Sequence, residues 1–415
     1  MANYMSERLF SIGYSDQANL TTATSSFTFL QATFPTINFA REVEDLGLTA
    51  AQDFAIEARK VGSKHGGTLS FTVPLRSQPS SYDPTSDAIT VNPEMDLLTE
   101  LIGNGDSYGY SASEIAGGTD ANTFVTTSAV TQPGHMMWTG AVASGVHMLS
   151  SLGWSKSVTG QTHTMFEDAI AVPAAGNGVY PRRTIFPDST QVPTPKTFCV
   201  RGAYAEHDIR LIGCIPEGAT ISFGAGDVPT VEFTYRFTDY SLESSGGLTA
   251  ATEFTRLPPV LGNRKGRVFI NGTNTGAADS EGTCGVGGFS VTITPELVEV
   301  PCHGAAEGVS EMKIIRRDAT VSFNVPYNAS TTSGTDTIFG NSLTSGTGVS
   351  ISLQVGDRAG QIFAMLIPSA IVTAQPSFGV NDSLVGWSVE AQPGAYTGDG
   401  SSTAPGDTSF RIAFG

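Results

Sequence analysis

One eight-residue pattern occurs twice in this chain, and it constrains the fold more than any other feature of the sequence. Residues 68–75 (TLSFTVPL) and 320–327 (TVSFNVPY) have Thr, Ser, Phe, Val and Pro at the same places. In both copies apolar residues alternate with Ser, Thr or Asn, which is the period-two pattern of a strand with one buried and one polar face. A basic strand is predicted before each copy, at 56–60 and 313–317.

A second echo follows these strands in the same order. An Ile-Pro pair at 215–216 leads to a Phe-Gly pair at 223–224, and the same two pairs recur at 367–368 and 378–379. A further strand is predicted after each. Because two echoes in one order are improbable by chance, the sequence predicts two copies of one β-rich domain.

Each copy is expected to carry one helix after its repeated strand. In the first copy Asn92 is the candidate N-cap, Pro93 the first helical residue and Gly103 the stop signal. The helix has an apolar stripe that is predicted to be a packing face. Its members are Met95, Leu98, Leu101 and Ile102. In the second copy a short helix is predicted near 335–343.

The domain boundaries follow from these repeats. Residues 1–26 are predicted to be an N-terminal arm, and 27–245 to be the first copy. A Ser/Gly/Pro-rich linker is predicted at 246–264, and the second copy at 265–415. Within the first copy, residues 105–195 are rich in Gly and Ser with weak periodicity and are predicted to be an insertion.

Composition supports a mainly β fold. Charged residues make up 15% of the chain and there are 47 glycines, whereas helical bundles are rich in Glu, Lys and Arg. The aromatic and β-branched content is too high for a disordered chain.

The charge balance excludes one class of function. There are 39 acidic and 22 basic residues, for a net charge of −17. Proteins that grip nucleic acid through its phosphates need clustered Lys and Arg, so sequence-specific DNA or RNA binding is not expected. Two interpretations of the acidity stay open: a solubility feature, or a surface that repels polyanions.

No catalytic signature is present, and the sequence predicts no catalytic, cofactor-binding or metal-binding residues. The chain lacks a nucleophile elbow, a zinc-protease motif and a phosphate-binding loop. His135, Met136 and Met137 with His147 and Met148 could form a soft-metal site, but packing of an apolar insertion is the favoured interpretation. A pair of glycosidase carboxylates needs no local motif and stays open. We therefore expect the protein not to be an enzyme.

No membrane segment is expected either. Residues 1–20 have no apolar signal-peptide core. Residues 121–155 lack charged side chains, but Gln, Pro and His interrupt the segment, so a membrane span is not predicted. The four cysteines have no CxxC spacing and are predicted to be free thiols.

The order of these features resembles the tail tube proteins, or major tail proteins, of long-tailed bacteriophages of the siphovirus type. An acidic segment at 42–45 (EVED) is followed by the basic strand and by GGTLSFTVPL at 66–75. A loop, a lone helix at 95–101 and a late strand at 231–237 (VEFTYRF) complete the pattern. The resemblance covers both copies but not the insertion.

The resemblance implies a structural virion protein and a fold for each copy. That fold is a β-sandwich or partial barrel flanked by one helix. Subunits of the family close edge to edge into rings, which stack into the viral tail tube. Two domains per chain imply homotrimeric rings with pseudo-sixfold symmetry, in which three chains supply about 24 lumen strands and leave no sheet edge exposed.

The resemblance also implies partners and a location. The partners are further copies of the chain, a tape-measure protein, a tail terminator and tail-tip or baseplate proteins. Double-stranded DNA passes through the tube during ejection without being held, and an acidic lining favours this because a basic one binds phosphates. The protein is then a virion tail component, assembled in the cytoplasm of the bacterial host.

Two other classes of protein stay open. The first is a different structural virion protein, such as a decoration, baseplate or fibre component. The second is a secreted β-sandwich enzyme or adhesin, against which the missing signal peptide and catalytic motifs weigh.

The insertion is expected on the tube exterior or at ring-to-ring contacts, because loops are tolerated outside a packed sheet. Its uncharged apolar stretch predicts burial in such a contact. The residues concerned are Met136, Met137, Trp138, Met148 and Trp154. Deletion of 119–195 is expected to leave a folded protein with weakened ring stacking.

Overall fold

The computed structural model is mainly antiparallel β, with one α-helix among the residues it describes. Those residues are 10–24, 26–49, 57–76, 93–106, 113–120, 122–128, 133–140, 150–167, 175–181, 183–188, 192–202, 207–224, 227–244, 267–270, 273–274, 287–302, 308–326, 348–356, 362–373, 377–381, 384–396 and 408–414.

The elements before residue 245 fall into three groups along the chain. The first group is β1 (Phe10–Asp16), β2 (Thr28–Leu30), β3 (Thr36–Thr49), β4 (Glu57–Pro74) and α1 (Pro93–Ile102). The second is β5 (Gly103–Asp106), β6 (Ser113–Asp120), β7 (Thr123–Thr126), β8 (Met136–Gly140), β9 (Ser150–Thr159), β10 (Thr162–Met165), β11 (Gly178–Pro181) and β12 (Arg183–Pro187). The third is β13 (Lys196–Gly202), β14 (His207–Phe223), β15 (Thr230–Phe237) and β16 (Asp239–Ser244).

The elements after residue 265 are all strands. They are β17 (Arg267–Ile270), β18 (Thr273–Asn274), β19 (Gly287–Pro301), β20 (Val309–Pro326), β21 (Val349–Val355), β22 (Phe363–Val372), β23 (Ser377–Asn381), β24 (Leu384–Pro393) and β25 (Arg411–Phe414).

A central sheet runs through both halves of the chain in the order β3-β4-β15-β14-β19-β20-β24-β22. The strands β14 and β19 pair antiparallel and join the halves, with Ala219 opposite Ile293. On one face of this sheet a row of aliphatic side chains crosses six strands. Its members in order are Val73, Val231, Ile221, Val291, Val321 and Ala391. Every member of the row is fully buried, so the two halves share one core.

The predicted basic strands are not separate elements. Residues 57–60 begin β4 and residues 313–317 lie inside β20, and each of these strands is 18 residues long. The basic segment and the repeated Thr/Ser segment are therefore two parts of one strand. The distal parts of β4 and β20 pair with β3 and β19 as long hairpins, with Thr49 opposite Glu57 and Pro301 opposite Val309.

A second layer covers the apolar face of the central sheet. In the first half its order is β2-β1-β13-β14-β16, formed on the first part of β14. In the second half its order is β18-β17-β21-β22-β25, formed on the first part of β22. The layers meet through aromatic rings. The ring centres of Phe198 and Phe71 are 5.5 Å apart, and those of Phe363 and Phe223 are 5.0 Å apart.

The two Ile-Pro pairs mark the places where a strand passes from one layer to the other. Before Ile215, β14 pairs with β16, and from Ile215 onward it pairs with β15. In β22, pairing with β25 ends at Leu366 and pairing with β24 begins at Ala370, on either side of Ile367-Pro368. Proline suits this change of partner because it has no N–H to contribute to either ladder.

The Phe-Gly part of the same echo has no common structure. Phe223 ends β14 and is buried, whereas Phe378 lies within β23 and is 54% exposed. The two Phe-Gly pairs therefore do not occupy equivalent positions in the two halves.

The segment 1–26, predicted to be an N-terminal arm, contains a strand of the second layer at residues 10–16. These residues form β1, which pairs with β13 over its whole length. Ile12 and Tyr14 are buried in the core, and Leu20 joins a small cluster with Ile215, Val309 and Met312. The polar composition of the segment hid a strand because only Ile12 and Tyr14 of its side chains are buried, with Phe10 partly buried against the core.

The predicted insertion contains a small domain. Strands β6 to β11 close into a barrel in the order β10-β7-β6-β11-β8-β9. Six buried apolar side chains, one from each strand, fill it. They are Ile115, Phe124, Met137, Leu152, Met165 and Val179. The flanking strands β5 and β12 pair with each other, and β12 also pairs with β25.

The insertion barrel packs on the second half of the same chain. Met136, Trp138 and Trp154 form one cluster with second-half residues, namely Ile362, Ala364, Leu366 and Ala413. The predicted burial of the Met- and Trp-containing stretch is thus found inside one chain. Deletion of 119–195 removes β12 and uncovers this apolar surface, so we expect it to destabilise the second half, contrary to the expectation from sequence.

The helix α1 lies on the core side and contacts both halves. Its predicted stripe is buried together with Leu97, and the helix ends before Gly103, as predicted. A Cβ at Gly103, where φ is +145°, would lie 2.3 Å from the backbone nitrogen of Asp188, so the close approach requires glycine. Arg317 of β20 donates to the Leu101 carbonyl at 2.8 Å and so caps the helix from the other half.

A buried lysine anchors the outer side of α1. The Nζ of Lys196 lies 2.6 Å from Asp16 Oδ1 and 3.1 Å from Glu100 Oε1, and its side chain is 1% exposed. Burial raises the pKa of Glu100 to about 8, and Lys196 opposes that rise. The contact ties the helix to β1 and β13.

Some predictions lie outside the described residues. These are the second helix near 335–343, the linker at 246–264, the N-cap Asn92 and the first nine residues of the predicted N-terminal arm. The cysteines Cys199 and Cys214 are buried free thiols and Cys302 is a partly exposed one, while Cys284 also lies outside the described residues.

The alternation in β4 predicts that substitutions at two neighbouring residues will change the free energy of unfolding by very different amounts. Phe71→Ala should lower the free energy of unfolding by about 3–5 kcal/mol, because Phe71 packs against Phe198, Phe233 and Tyr235. Thr72→Ala, on the polar face of the same strand, should change it by less than about 0.5 kcal/mol. Urea unfolding followed by circular dichroism measures both. Equal losses would contradict the assignment of faces.

Candidate functional surface

The solvent-facing side of the central sheet is a polar surface that crosses both halves of the chain. Its side chains lie in rows that follow the cross-strand register. One row consists of Thr72, Glu232, Thr220, Thr292 and Thr320. The next consists of Thr230, Ser222, Ser290, Ser322 and Glu390. We call this surface the hydroxyl face; each of its two rows carries a single carboxylate.

Side-chain hydrogen bonds connect the strands along the hydroxyl face. The hydroxyls of Ser290 and Ser322 lie 2.8 Å apart, and those of Thr220 and Thr292 lie 3.3 Å apart. Gln392 donates to Thr320 at 3.5 Å. Paired hydroxyls on adjacent strands stabilise a sheet. Eight of the ten side chains in the two rows are hydroxyls of Ser or Thr.

Every described arginine on the hydroxyl face is paired with a carboxylate. Arg236 contacts both Glu217 and Glu299 at 3.1 Å, and Arg316 contacts Asp318 at 2.8 Å. Glu232 and Glu390 are exposed. The guanidinium charges are thus balanced within the protein, and the two carboxylates in the hydroxyl rows are negative.

The Arg236 contact also stabilises the junction between the two halves. Arg236 lies on β15, Glu217 on β14 and Glu299 on β19, so one guanidinium spans the strands on both sides of the joint. Glu217 lies at an irregularity in β14, between residues 216 and 218, which turns its side chain toward Arg236. Sequence reasoning missed this contact because it depends on a bulge.

Sequence alternation predicted the polar face of individual strands, and this is confirmed for 68–75 and 231–237. Thr68, Ser70 and Thr72 are partly exposed while Leu69, Phe71 and Val73 are buried. The rows that cross five strands were not predictable, because they require the register of strands from both halves.

For the segment with His135, Met136 and Met137, the two interpretations from sequence were a soft-metal site and apolar packing. Met137 lies inside the insertion barrel and Met136 packs on the second half, which confirms apolar packing for both. His147 and Met148 lie outside the described residues. Among the residues that the structure describes, no three His, Cys, Asp or Glu side chains are grouped to hold a metal ion.

A shallow groove lies beside β1, β2, β4 and β15. Its lining includes Phe10, Leu30, Thr33, Val73 and Val228. No titratable side chain is among the described residues that line it, so it offers no acid or base for catalysis.

No protein-family model matches the chain, and no curated protein matches its sequence. In the described part of the chain, no helix is both long and apolar enough to cross a membrane.

The Arg236 contact predicts that Arg236 and Arg316, both on the hydroxyl face, contribute differently to the free energy of unfolding. Arg236→Gln should lower the free energy of unfolding by about 1 kcal/mol, because it leaves Glu217 and Glu299 without their shared cation. The loss should shrink in 1 M salt, where charges are screened within about 3 Å. Arg316→Gln is the control, because its pair with Asp318 lies within one exposed strand, and it should cost less than about 0.5 kcal/mol. Urea unfolding at two salt concentrations measures both, and equal effects would contradict a role at the junction.

Proposed function

We propose that this chain is a structural virion protein of the phage tail tube, with the hydroxyl face lining a conduit for double-stranded DNA. The observation that carries the proposal is the hydroxyl face itself. A conduit must let a polyanion slide without binding it, and phosphates bind to unpaired Lys and Arg. The described guanidinium groups on this face are each paired with carboxylates, and its hydroxyl rows carry the exposed Glu232 and Glu390.

The order of strand pairing supports two tandem copies of one tube domain. The central-sheet order β3-β4-β15-β14 in the first half corresponds to β19-β20-β24-β22 in the second. The second layer follows the same rule, since β2-β1-β13-β14-β16 corresponds to β18-β17-β21-β22-β25. The repeated sequences occupy β4 and β20, and the Ile-Pro pairs occupy the layer crossings in β14 and β22. The register differs in detail between the halves, but the order of strands does not.

The joint between the halves suggests how chains join one another. Residues 219–222 of β14 pair with β15 on one edge and with β19 on the other. The corresponding part of β22 pairs with β24 on one edge, and beyond Ala370 its other edge has no described partner. At the opposite end of the sheet, β3 pairs with β4 alone among the described strands. Pairing of β22 with β3 of the next chain would repeat the β14–β19 joint and remove both open edges.

Three chains joined in this way give a closed ring. The central sheet contributes eight strands per chain, four from each half. With the roughly 24 lumen strands that the resemblance implies, the proposed ring is a homotrimer with pseudo-sixfold symmetry. Rings of this kind stack into the tube, inside which a tape-measure protein lies during assembly. A tail terminator and tail-tip or baseplate proteins bind the tube ends. Assembly takes place in the bacterial cytoplasm.

The insertion barrel then belongs on the tube exterior. Phe363, Met365 and Ile367 of β22 point into the core, whereas Ala364 and Leu366 point away from the central sheet and contact the barrel. The layers therefore run from the hydroxyl face through the core and the second layer to the barrel. This order separates the barrel from the proposed lumen.

The second candidate function is another structural virion protein, namely a decoration, baseplate or fibre component. The open edges of β3 and β22 favour polymerisation over a monomeric decoration. Negative-stain images of the purified chain separate the two: smooth tubes with threefold rings support the proposal, and discrete particles support the alternative. A ring of six chains would contradict the duplication while leaving the tube intact.

The hydroxyl face predicts the effect of charge reversal. The double variant Glu232→Lys and Glu390→Lys should assemble normally, since both side chains are solvated, but should slow DNA ejection about tenfold or more at low salt. The slowing should weaken as salt rises, because charges are screened beyond about 8–10 Å at physiological ionic strength. Ejection rates from particles at two salt concentrations measure it.

A matched variant controls for net charge. Glu114 is exposed on the insertion barrel, away from the hydroxyl face. Asp120 is exposed on the same strand, so the control pair Glu114→Lys with Asp120→Lys adds as much positive charge as the hydroxyl-face double variant and should leave ejection unchanged. If the double variant ejects DNA at the wild-type rate at low salt, the acidic balance is a solubility feature and the lining of the tube is a different surface.

A further inference from the structure

The seam between the insertion barrel and the second half contains a buried carboxyl group whose surroundings suit the acid form. Glu167 follows β10 and its side chain is 2% exposed. Its Oε2 accepts a hydrogen bond from the Trp154 backbone N–H at 2.7 Å. The rest of the seam is the apolar contact of Met136, Trp138 and Trp154 with β22 and β25.

The Glu167 carboxyl lies beside two polar groups of the other half. These groups are the hydroxyl of Ser352 and the side-chain amide of Gln354, both on β21 and both 2% exposed. Each can donate a hydrogen bond to the carboxyl, which lowers its pKa, but burial raises the pKa and is the larger effect. Because both donors are neutral, they leave the charge of an ionised Glu167 uncompensated inside the seam.

A proton on Glu167 removes that uncompensated charge. A carboxylic acid donates through one oxygen and accepts through the other. Oε2 then keeps the Trp154 N–H, and the Oε1 hydroxyl can donate to an oxygen of Ser352 or Gln354 after a small side-chain adjustment. An ionised carboxylate at this place has no described cation in ion-pair contact, and burying an unpaired charge is unfavourable.

The charged and titratable groups described around the seam have contacts other than an ion pair with Glu167. Arg411 of β25 lies over the rings of Phe166 and Tyr396 at 5.9 and 5.8 Å and donates to Thr408 at 3.1 Å. The Nζ of Lys156, on β9, lies 5.8 Å from the centre of the Phe166 ring. His135 is bound through its backbone to Ser155, next to Trp154. Both cations are thus in contact with aromatic rings.

We infer that Glu167 is a proton-binding latch: the insertion barrel docks on the second half with Glu167 in its carboxylic-acid form, and ionisation of Glu167 weakens the docking. This inference does not depend on the proposed tube function, because it concerns a contact within one chain.

The direction of the pH dependence follows from burial. Desolvation raises the pKa of Glu167 from 4.5 to about 7 in the docked chain. A carboxyl whose pKa is raised on docking favours docking below its undocked pKa and loses that contribution as pH rises through its docked pKa. The docking equilibrium should therefore fall about 30-fold between pH 5.5 and pH 8.

Hydrogen exchange on the full chain tests the latch. The protection factor of the Trp154 amide, corrected for the intrinsic rate, should fall between pH 5.5 and pH 8, while amides in the middle of β4 should keep theirs. Glu167→Gln keeps the size of the side chain and can donate and accept as the acid does, so it should retain docking and remove the pH dependence. Glu114→Gln on the same barrel is the control and should behave as the wild type.

A second measurement covers the case in which Glu167→Gln fails to fold. Carbon-13 spectra of the wild-type chain with labelled glutamate carboxyls should show a resonance that titrates near neutral pH, together with the loss of Trp154 protection. The latch is refuted if Trp154 protection does not vary over this range. It is also refuted if Glu167→Gln varies as the wild type does, or if no carboxyl titrates together with the loss of protection.

Discussion

The row of aliphatic side chains beneath the central sheet is the constraint on which the rest of the structure depends. It runs from Val73 in the first half to Ala391 in the second, and its continuity requires β14 and β19 to pair. Once these positions face the core, the period of two along every strand sends the intervening residues to solvent. The hydroxyl face is thus the other side of the same register, and a shift of one residue at the joint would destroy both.

Several contacts hold the two halves in that register. Arg236 links β15 to β14 and β19 on the solvent side, and Arg317 reaches from β20 to the end of α1 on the core side. Lys196 fixes the helix to β1 and β13 from outside. These contacts place charged groups where they are paired inside the protein. The guanidinium groups of Arg236 and Arg316, on the surface proposed as the tube lining, are therefore already paired with carboxylates.

The insertion barrel shows how an added domain becomes part of the fold. It fills its own interior with one side chain from each strand and presents a second apolar surface, around Trp138 and Trp154, to the second half. The strands β5 and β12 hold it at its base, and β12 adds to β25. Because Glu167 lies in the seam, the strength of this docking is expected to respond to pH even though the barrel and the halves belong to one chain.

The sequence alone determined the strand character of this protein, its lone described helix and the polar faces of β4 and β15. These follow from local periodicity and from the turn and capping residues around α1, which act over a few positions. It also pointed to two copies through the repeated strand, and the matching strand orders support that proposal. The barrel, the strand at 10–16, the Arg236 contact and the rows of the hydroxyl face were decided by tertiary structure. Each of them depends on pairing between segments distant in sequence, such as β1 with β13 or β14 with β19, and no local pattern encodes which distant strands will meet or in which register.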